Sequence, residues 1–121
     1  MLTFMQGLAR QEGFGVRNAR PTRNNNPGDL EYEPWQRLWG ARLEIVPTGE
    51  TAVFAQFLDV AEGWAAMRFL LNRDYIGMTV TAALAKWAPE SDGNNLMVYE
   101  TNVCAWTGMQ PTTILTRENI G

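Results

Sequence analysis

The chain has 121 residues, 45% of them hydrophobic and 11% aromatic, which is enough for one folded domain spanning residues 1–121. Its 10 Lys and Arg residues are outnumbered by 13 Asp and Glu residues, and the net charge of -3 disfavours nonspecific binding to nucleic acid or anionic lipid. It has no histidine and one cysteine, Cys104, which excludes an internal disulfide, a histidine-containing zinc site and a histidine-activated nucleophile. No segment reaches the length of a membrane span, and the N-terminus lacks the pattern of a secretory signal.

The first predicted helix ends close to a carboxylate. Apolar residues recur at helical spacing from Leu2 to Ala9, and Glu12 falls on the same stripe. We expect Gly13 and Gly15 to end this helix, which places Glu12 at the negative end of the helix dipole. Burial and the dipole both disfavour an ionised carboxylate and would raise the pKa of Glu12. A carboxylic acid that keeps its proton near neutral pH can protonate the leaving oxygen of a glycosidic bond.

Glu12 also has a purely structural interpretation. Four arginines lie near it in sequence, namely Arg10, Arg17, Arg20 and Arg23. An ion pair with any of them would lower the pKa of Glu12 instead of raising it. The arginines themselves are typical of a solvated face that pairs with local acids. The sequence leaves both interpretations of Glu12 open.

An irregular region rich in Pro, Gly and Asn is predicted over residues 21–49. Leu30 and Tyr32 alternate with acidic residues, which is typical of a half-buried extended segment. A strand over residues 43–46, a turn over 47–50 and a second extended segment over 51–54 predict a small antiparallel hairpin.

Helices are predicted for the rest of the chain. Asp59 is a candidate N-cap, with Glu62 three residues later as in a capping box, before an apolar stripe that ends at Leu71. Thr79 is expected to cap a helix over residues 80–87, which Pro89 stops.

The last elements complete the predicted order. Asn94 or Asn95 is expected to open a helix that runs to Gly108, and Thr112 or Thr113 to begin one further turn. The order of elements predicts an α+β fold that is mainly helical, with a small irregular β region after the first helix.

Several motifs in this order resemble those of the lysozyme-like superfamily. The segment Arg10-Gln11-Glu12-Gly13 is similar to the helix end that carries the catalytic acid in phage-type lysozymes. More closely, the chain resembles a family of small phage-associated and bacterial proteins described as lysozymes or virion structural proteins. The motifs that carry this resemblance are Asn25-Asn26-Pro27-Gly28-Asp29-Leu30, Phe54 to Phe57, Glu62-Gly63, Trp87-Ala88-Pro89, Asn94-Asn95 and Tyr99.

The resemblance implies a lysozyme-like fold in which Glu12 is the catalytic acid. Asp29 stands where the family commonly has Asn, and it would either assist an oxocarbenium-like transition state or cap a turn. Phage-type lysozymes carry an Asp shortly after their Glu, and residues 13–28 contain none. The resemblance therefore favours a single-acid mechanism such as that of lytic transglycosylases, in which a hydroxyl of the sugar closes an anhydro ring.

Six further residues are candidates for glycan binding. The amides of Asn25 and Asn26 suit N-acetyl and hydroxyl groups, or else they only form the turn with Pro27 and Gly28. By resemblance Tyr99 lines the cleft, where its hydroxyl would orient the acid, although its spacing also fits a core residue. Phe54, Trp35 and Trp39 would stack on sugar faces if they are not core residues, which is the more common role of aromatics at such positions.

The function implied is cleavage of peptidoglycan glycan strands by a muramidase or lytic transglycosylase that needs no metal and no organic cofactor. The alternative is a non-catalytic virion structural or cell-wall-binding protein on the same scaffold, which the acidic charge and the missing second carboxylate favour. Neither nucleic acid nor membrane insertion is expected. Without a signal sequence, the protein would be made in the cytoplasm and delivered to the cell wall or virion by another component. The sequence predicts no oligomeric state.

Overall fold

The computed structural model describes all residues from 1 to 121. It contains six α-helices, two short 3-10 helices and one antiparallel sheet of two strands, which confirms the predicted mainly helical α+β class. None of the helices combines the length and the apolar character needed to span a membrane. The α-helices are α1 (Phe4–Gln11), α2 (Arg20–Arg23), α3 (Val60–Asp74), α4 (Val80–Trp87), α5 (Leu96–Thr107) and α6 (Arg117–Ile120); the strands are β1 (Ala41–Leu43) and β2 (Ala55–Phe57); and the 3-10 helices are Pro34–Trp39 and Glu90–Asp92.

The chain divides into two compact units. One consists of residues 1–11 and 70–121, and we call it the helical unit; the other consists of residues 12–69, and we call it the hairpin unit. The prediction of one lysozyme-like domain over the whole chain stays a prediction.

The core of the helical unit forms where α1 packs on α5. Gly7 permits this approach, because a Cβ at that position would stand 3.0 Å from Cγ2 of Thr107 and 3.4 Å from Cγ1 of Val103. The side chains buried in this unit are those of Phe4, Met5, Leu8, Ala9, Leu71, Tyr75, Val80, Ala83, Leu84, Ala88, Tyr99, Val103, Thr107, Leu115 and Ile120.

Local capping signals set most helix ends in this unit. The Thr79 side chain accepts a hydrogen bond from the N–H of Ala82, and Asn95, rather than Asn94, caps α5. Gly108 ends α5 in the left-handed conformation. The last turn was predicted to begin at Thr112 or Thr113, and this is wrong, because Thr116 caps it through a capping box with Asn119.

The hairpin unit is built around the pairing of β1 with β2. Ala41 lies opposite Phe57 and Leu43 opposite Ala55. Ala55 and Phe57 point inward and are buried, and they form a hydrophobic cluster with Ala41 and Ala66. The partly buried rings of Tyr32, Trp35 and Trp39 pack against this cluster.

The structure contains the predicted hairpin with its turn, but each strand covers different residues from those predicted. The paired residues are 41–43 and 55–57, instead of 43–46 and 51–54. The turn over residues 47–50 is confirmed by a hydrogen bond from the N–H of Glu50 to the carbonyl of Pro47. Regular pairing does not extend to the turn because the Glu44 side chain accepts the hydrogen bonds of the N–H groups of Val53 and Phe54.

Asn26 holds the turn that precedes Leu30. It has no exposed surface, and its Nδ2 donates hydrogen bonds to the carbonyls of Leu30 (3.0 Å) and Ala55 (2.9 Å). Its Oδ1 accepts a hydrogen bond from the N–H of Leu30 at 3.0 Å. One side chain thus joins the irregular segment to β2.

Helix α3 begins against the same segment. The Asp59 side chain caps it by accepting a hydrogen bond from the N–H of Glu62 at 2.9 Å, as predicted. At Gly63 an added Cβ would lie 2.0 Å from the carbonyl oxygen of Asn25, so only glycine permits this approach.

We predict that Asn26→Ala lowers the free energy of unfolding by about 2 to 4 kcal/mol, because it removes three buried hydrogen bonds. The matched control is Asn94→Ala, which removes one side-chain bond to the carbonyl of Pro89 and should cost less than about 1 kcal/mol. Urea denaturation of both variants tests this. Equal effects for the two substitutions would show that Asn26 does not hold the hairpin unit together.

Candidate functional site

The hairpin unit contains a cluster of charged side chains centred on Asp29. The charges that act on Asp29 are those of Glu12, Arg20, Glu44 and Arg23. The chain reaches Asp29 through an unusual backbone conformation, since Asn25 and Asp29 have positive φ angles of 50° and 47°. Asn and Asp tolerate this left-handed region better than other residues with side chains.

The Asp29 carboxyl is the group in this cluster whose ionisation is most disfavoured. Its Oδ1 is buried and has no hydrogen-bond partner. The pKa of Asp29 is raised to about 6, chiefly by burial and next by the negative charge of Glu12, whereas Arg20 acts in the opposite direction. Glu44 adds to the increase and Arg23 to the decrease. Asp29 therefore holds a proton over a pH range in which ordinary carboxyls have lost theirs.

Glu12 follows α1 directly, as predicted, and it is partly buried. The helix ends at Gln11, and Gly13 and Gly15 then take positive φ angles of 92° and 94°. The predicted role of Glu12 as a proton-holding acid stays a prediction. The two carboxylates are close enough for their charges to interact, and we call Glu12 and Asp29 the acid pair.

Asp29 was named from the sequence as a carboxylate that would either assist an oxocarbenium-like transition state or cap a turn. In the structure the negative charge of Glu12 acts on Asp29. The signal was present as the Asp that replaces the family's Asn after Gly28. Its relation to Glu12 depends on how the chain folds back after α2, which the sequence pattern does not describe.

The nearby arginines have partners of their own. The guanidinium of Arg10 lies 4.4 Å from the centre of the Trp106 ring within the helical unit. Nη1 of Arg23 donates a hydrogen bond to the carbonyl of Asn18. Nε of Arg20 lies 3.5 Å from Oε1 of Glu44.

Glu44 is a buried anion that sequence reasoning missed. It accepts hydrogen bonds from the N–H groups of Val53 (3.0 Å) and Phe54 (2.9 Å) and from Nδ2 of Asn24 (3.1 Å). Burial acts to raise the pKa of Glu44, but these three donors and Arg20 outweigh burial and hold the pKa below its usual value. The available signal was a single charged residue inside the apolar run from Leu43 to Val46.

Both asparagines predicted to bind glycan have internal partners. Nδ2 of Asn25 donates to the carbonyls of Phe57 (3.2 Å) and Leu58 (3.4 Å), and Asn26 is fully buried. These contacts correspond to the turn-forming role that the sequence also allowed. Glycan binding by either residue stays a prediction.

The predicted aromatic contacts divide between the two units. Phe54 is partly buried in the hairpin unit, with the guanidinium of Arg20 4.5 Å from the centre of its ring. Trp35 and Trp39 pack on the hydrophobic cluster, and both rings also contact Phe69. Tyr99 is 3% exposed on α5, within the helical unit. The sugar-binding roles of these residues stay predictions.

No three His, Cys, Asp or Glu side chains are grouped so that they could hold a metal ion. Comparison with known protein families gives no match, and no curated protein is similar enough to count as a relative. The resemblance to lysozyme-like proteins therefore rests on the sequence motifs alone.

The raised pKa of Asp29 predicts a stability difference that depends on pH. Because the folded pKa of about 6 exceeds the ordinary value of 3.8, wild type should lose stability relative to Asp29→Asn as pH rises through this interval. With allowance for solvent screening, we expect Asp29→Asn to be more stable by about 1 to 2 kcal/mol at pH 7.5 and no more stable near pH 3.5. Asn also accepts the positive φ, so the backbone is not strained.

Glu44→Gln is the control, because its effect on stability should depend on pH in the opposite direction. The folded pKa of Glu44 is lowered, so its ionised form stabilises the fold at neutral pH, and this stability is lost as pH falls through the folded pKa. Denaturation of all three proteins at several pH values gives both differences. A stability gap between wild type and Asp29→Asn that does not change with pH would contradict the assignment.

Proposed function

We propose that this protein cleaves the glycan strands of peptidoglycan, as a muramidase or lytic transglycosylase on a lysozyme-like scaffold. The observation that carries the proposal is the acid pair, in which the partly buried Asp29 carboxyl has a pKa of about 6 beside the charge of Glu12. Cleavage of a glycosidic bond requires one carboxyl that donates a proton and is helped by a second that remains ionised. The motifs that resemble phage-type lysozymes give the same assignment for Glu12.

The mutual repulsion of the acid pair suits this chemistry. Two interacting carboxylates take up their first proton more readily than either would alone, so the pair carries one proton in mildly acidic solution. The proton belongs to the pair, and in the proposed mechanism it stands on Glu12 when the bond breaks and passes from there to the leaving sugar oxygen. The ionised Asp29 then stabilises the positive charge that develops on the sugar ring.

Two reactions complete the cycle equally well. In a muramidase, Glu12 removes a proton from water, which attacks the anomeric carbon and gives a reducing end. In a lytic transglycosylase, Glu12 removes the proton from the sugar's own hydroxyl, which attacks the same carbon and closes an anhydro ring. Both reactions return the proton to Glu12.

The competing proposal is a virion structural or cell-wall-binding protein without turnover. Two observations favour it: the amides of Asn25 and Asn26 are engaged in internal hydrogen bonds, and the net charge of -3 does not attract an anionic wall.

Release of soluble fragments from purified peptidoglycan distinguishes the two proposals. We expect Glu12→Gln to reduce release at least about 100-fold, because general acid catalysis contributes that much. Asp29→Asn should also reduce it, whereas Glu50→Gln, which changes an exposed acid in the turn of the same unit, should leave it unchanged. Release by wild type should decline above about pH 6 as the pair loses its proton.

Mass analysis of the fragments identifies the reaction, since reducing and anhydro ends differ by one water. Sedimentation of the protein with peptidoglycan, without release of fragments at any pH, would reject the enzyme and support the binding protein. Equal release by wild type and Glu12→Gln would reject the acid pair.

A further inference from the structure

Helix α5 buries one side in the core of the helical unit and exposes the opposite side. Helical spacing places four exposed residues in one stripe, which consists of Met97, Val98, Thr101 and Ala105. Met97 is 78% exposed and Val98 is 49% exposed. The solvent side of a surface helix ordinarily carries charged residues, and this side carries none. We call these four residues the α5 stripe.

The polar side chains on and beside the α5 stripe have partners within the chain. The hydroxyl of Thr101 donates a hydrogen bond to the carbonyl of Met97 at 2.8 Å. Nδ2 of Asn102 donates a hydrogen bond to Oε1 of Gln11 at 3.0 Å. Because these donors do not depend on water, covering the stripe removes apolar surface from water at little cost in polar solvation.

The sizes of the residues along the α5 stripe fit a second copy of the same stripe. Thr101 lies midway between Met97 and Ala105, about 6 Å along the helix from each. If a second α5 lies antiparallel with Thr101 facing its own copy, Met97 of each chain falls on Ala105 of the other. A large side chain then meets a small one at both places, which lets the two helices approach to an ordinary packing distance. This register overlaps nearly the whole of α5, which runs from Leu96 to Thr107.

The charges near α5 favour the same arrangement. Glu100, the one charged residue of α5, accepts a hydrogen bond from the hydroxyl of Thr81 on α4. At the C-terminal end of α5 the exposed Arg10 lies 4.4 Å from the centre of the Trp106 ring, whereas two exposed acids precede the N-terminal end in the 3-10 helix Glu90–Asp92. An antiparallel pair brings the arginine of each chain toward the acids of the other, and a parallel pair would bring like charges together.

We propose that two copies of this chain associate through the α5 stripe, in an antiparallel two-fold arrangement centred on Thr101. The same surface then serves both partners, as in most homodimers. A single helix face buries less area than a stable dimer requires, so the association is weak and depends on protein concentration. It is independent of the proposed glycan cleavage, because no residue of the α5 stripe belongs to the acid pair.

Sedimentation equilibrium of the full chain, up to millimolar concentration, tests the association. The average mass of wild type should rise from that of one chain toward that of two. Met97→Glu should lower the association constant at least about tenfold, because it buries a charge against an apolar surface. Leu38→Glu is the matched control, because it changes a residue that is 89% exposed in the hairpin unit, and it should have no effect. A wild type that keeps the mass of one chain at every concentration overturns the proposal, as does a dimer that tolerates Met97→Glu.

An exchange of the two end residues tests the register. Met97→Ala alone removes apolar contact, and Ala105→Met alone sets two methionines against each other, so each should weaken association. The double variant Met97→Ala/Ala105→Met again places a large residue opposite a small one and should associate about as well as wild type. Damage to the fold does not predict this recovery. A double variant that associates no better than the weaker single variant rejects the arrangement.

Cross-linking tests the position of the two-fold axis. Thr101→Cys, made in a Cys104→Ser background, places two thiols opposite each other in the proposed dimer, within the range of disulfide geometry. Oxidised glutathione should therefore link two chains efficiently. Thr51→Cys in the same background is the control, because it is exposed in the hairpin unit and should give little linked product. Equal linking at the two positions would reveal random collision and overturn the proposed axis.

Discussion

The hairpin unit depends on the burial of one ionised carboxylate, that of Glu44. A buried charge is tolerated only where hydrogen bonds and opposite charge replace the lost water, and Glu44 receives three hydrogen-bond donors and one arginine. Two of these donors are the backbone N–H groups of Val53 and Phe54, just before β2. The carboxylate therefore ends the regular ladder, closes the turn and holds Arg20 with a single side chain.

Asp29 and Glu44 are two carboxyls of the same unit whose pKa values shift in opposite directions. Both are removed from water to some extent, which by itself disfavours ionisation. Glu44 has donors on both oxygens and stays charged, whereas Oδ1 of Asp29 has none. The charge of Glu12 acts in the same direction as burial at Asp29. The number of hydrogen-bond donors, more than the depth of burial, therefore decides which of the two carboxyls keeps a proton.

Local signals predicted the helical part of this fold well. Asp59, Thr79 and Asn95 cap helices within three residues of their hydrogen-bond partners, so the sequence contains all the information that these helix starts require. The two strands were displaced because their ends are set by Glu44, which acts across nine and ten residues on Val53 and Phe54. The 3-10 helix over Pro34–Trp39 was not predicted, since its capping box uses Glu33 and Gln36 within a region that reads as extended.

The candidate site was predicted only in part for the same reason. Glu12 stands out because it lies between an amphipathic helix and Gly13, which are local features. The environment of Asp29 depends on the turn that Asn26 holds and on charges that arrive from α2 and from the end of β1. A sequence pattern relates each residue only to its neighbours along the chain, so it cannot show that these charges come together at Asp29. From the sequence, Arg20 was therefore interpreted as one of four arginines on a solvated face.

Placing Asp29 in this site lowers the stability of the hairpin unit, and other residues of the unit offset this loss. An ionised Asp29 with a bare Oδ1 opposes folding at neutral pH, and two residues of the same segment have positive φ angles of 47° and 50°. Asn26 offsets this strain with three buried hydrogen bonds, and Gly63 lets α3 support the turn at a distance that no side chain permits. A carboxyl that served only to cap this turn would be replaced without loss by Asn, which fits the backbone and carries no charge. The rigid support around Asp29 therefore holds in place a carboxyl whose charged form the fold itself does not stabilise.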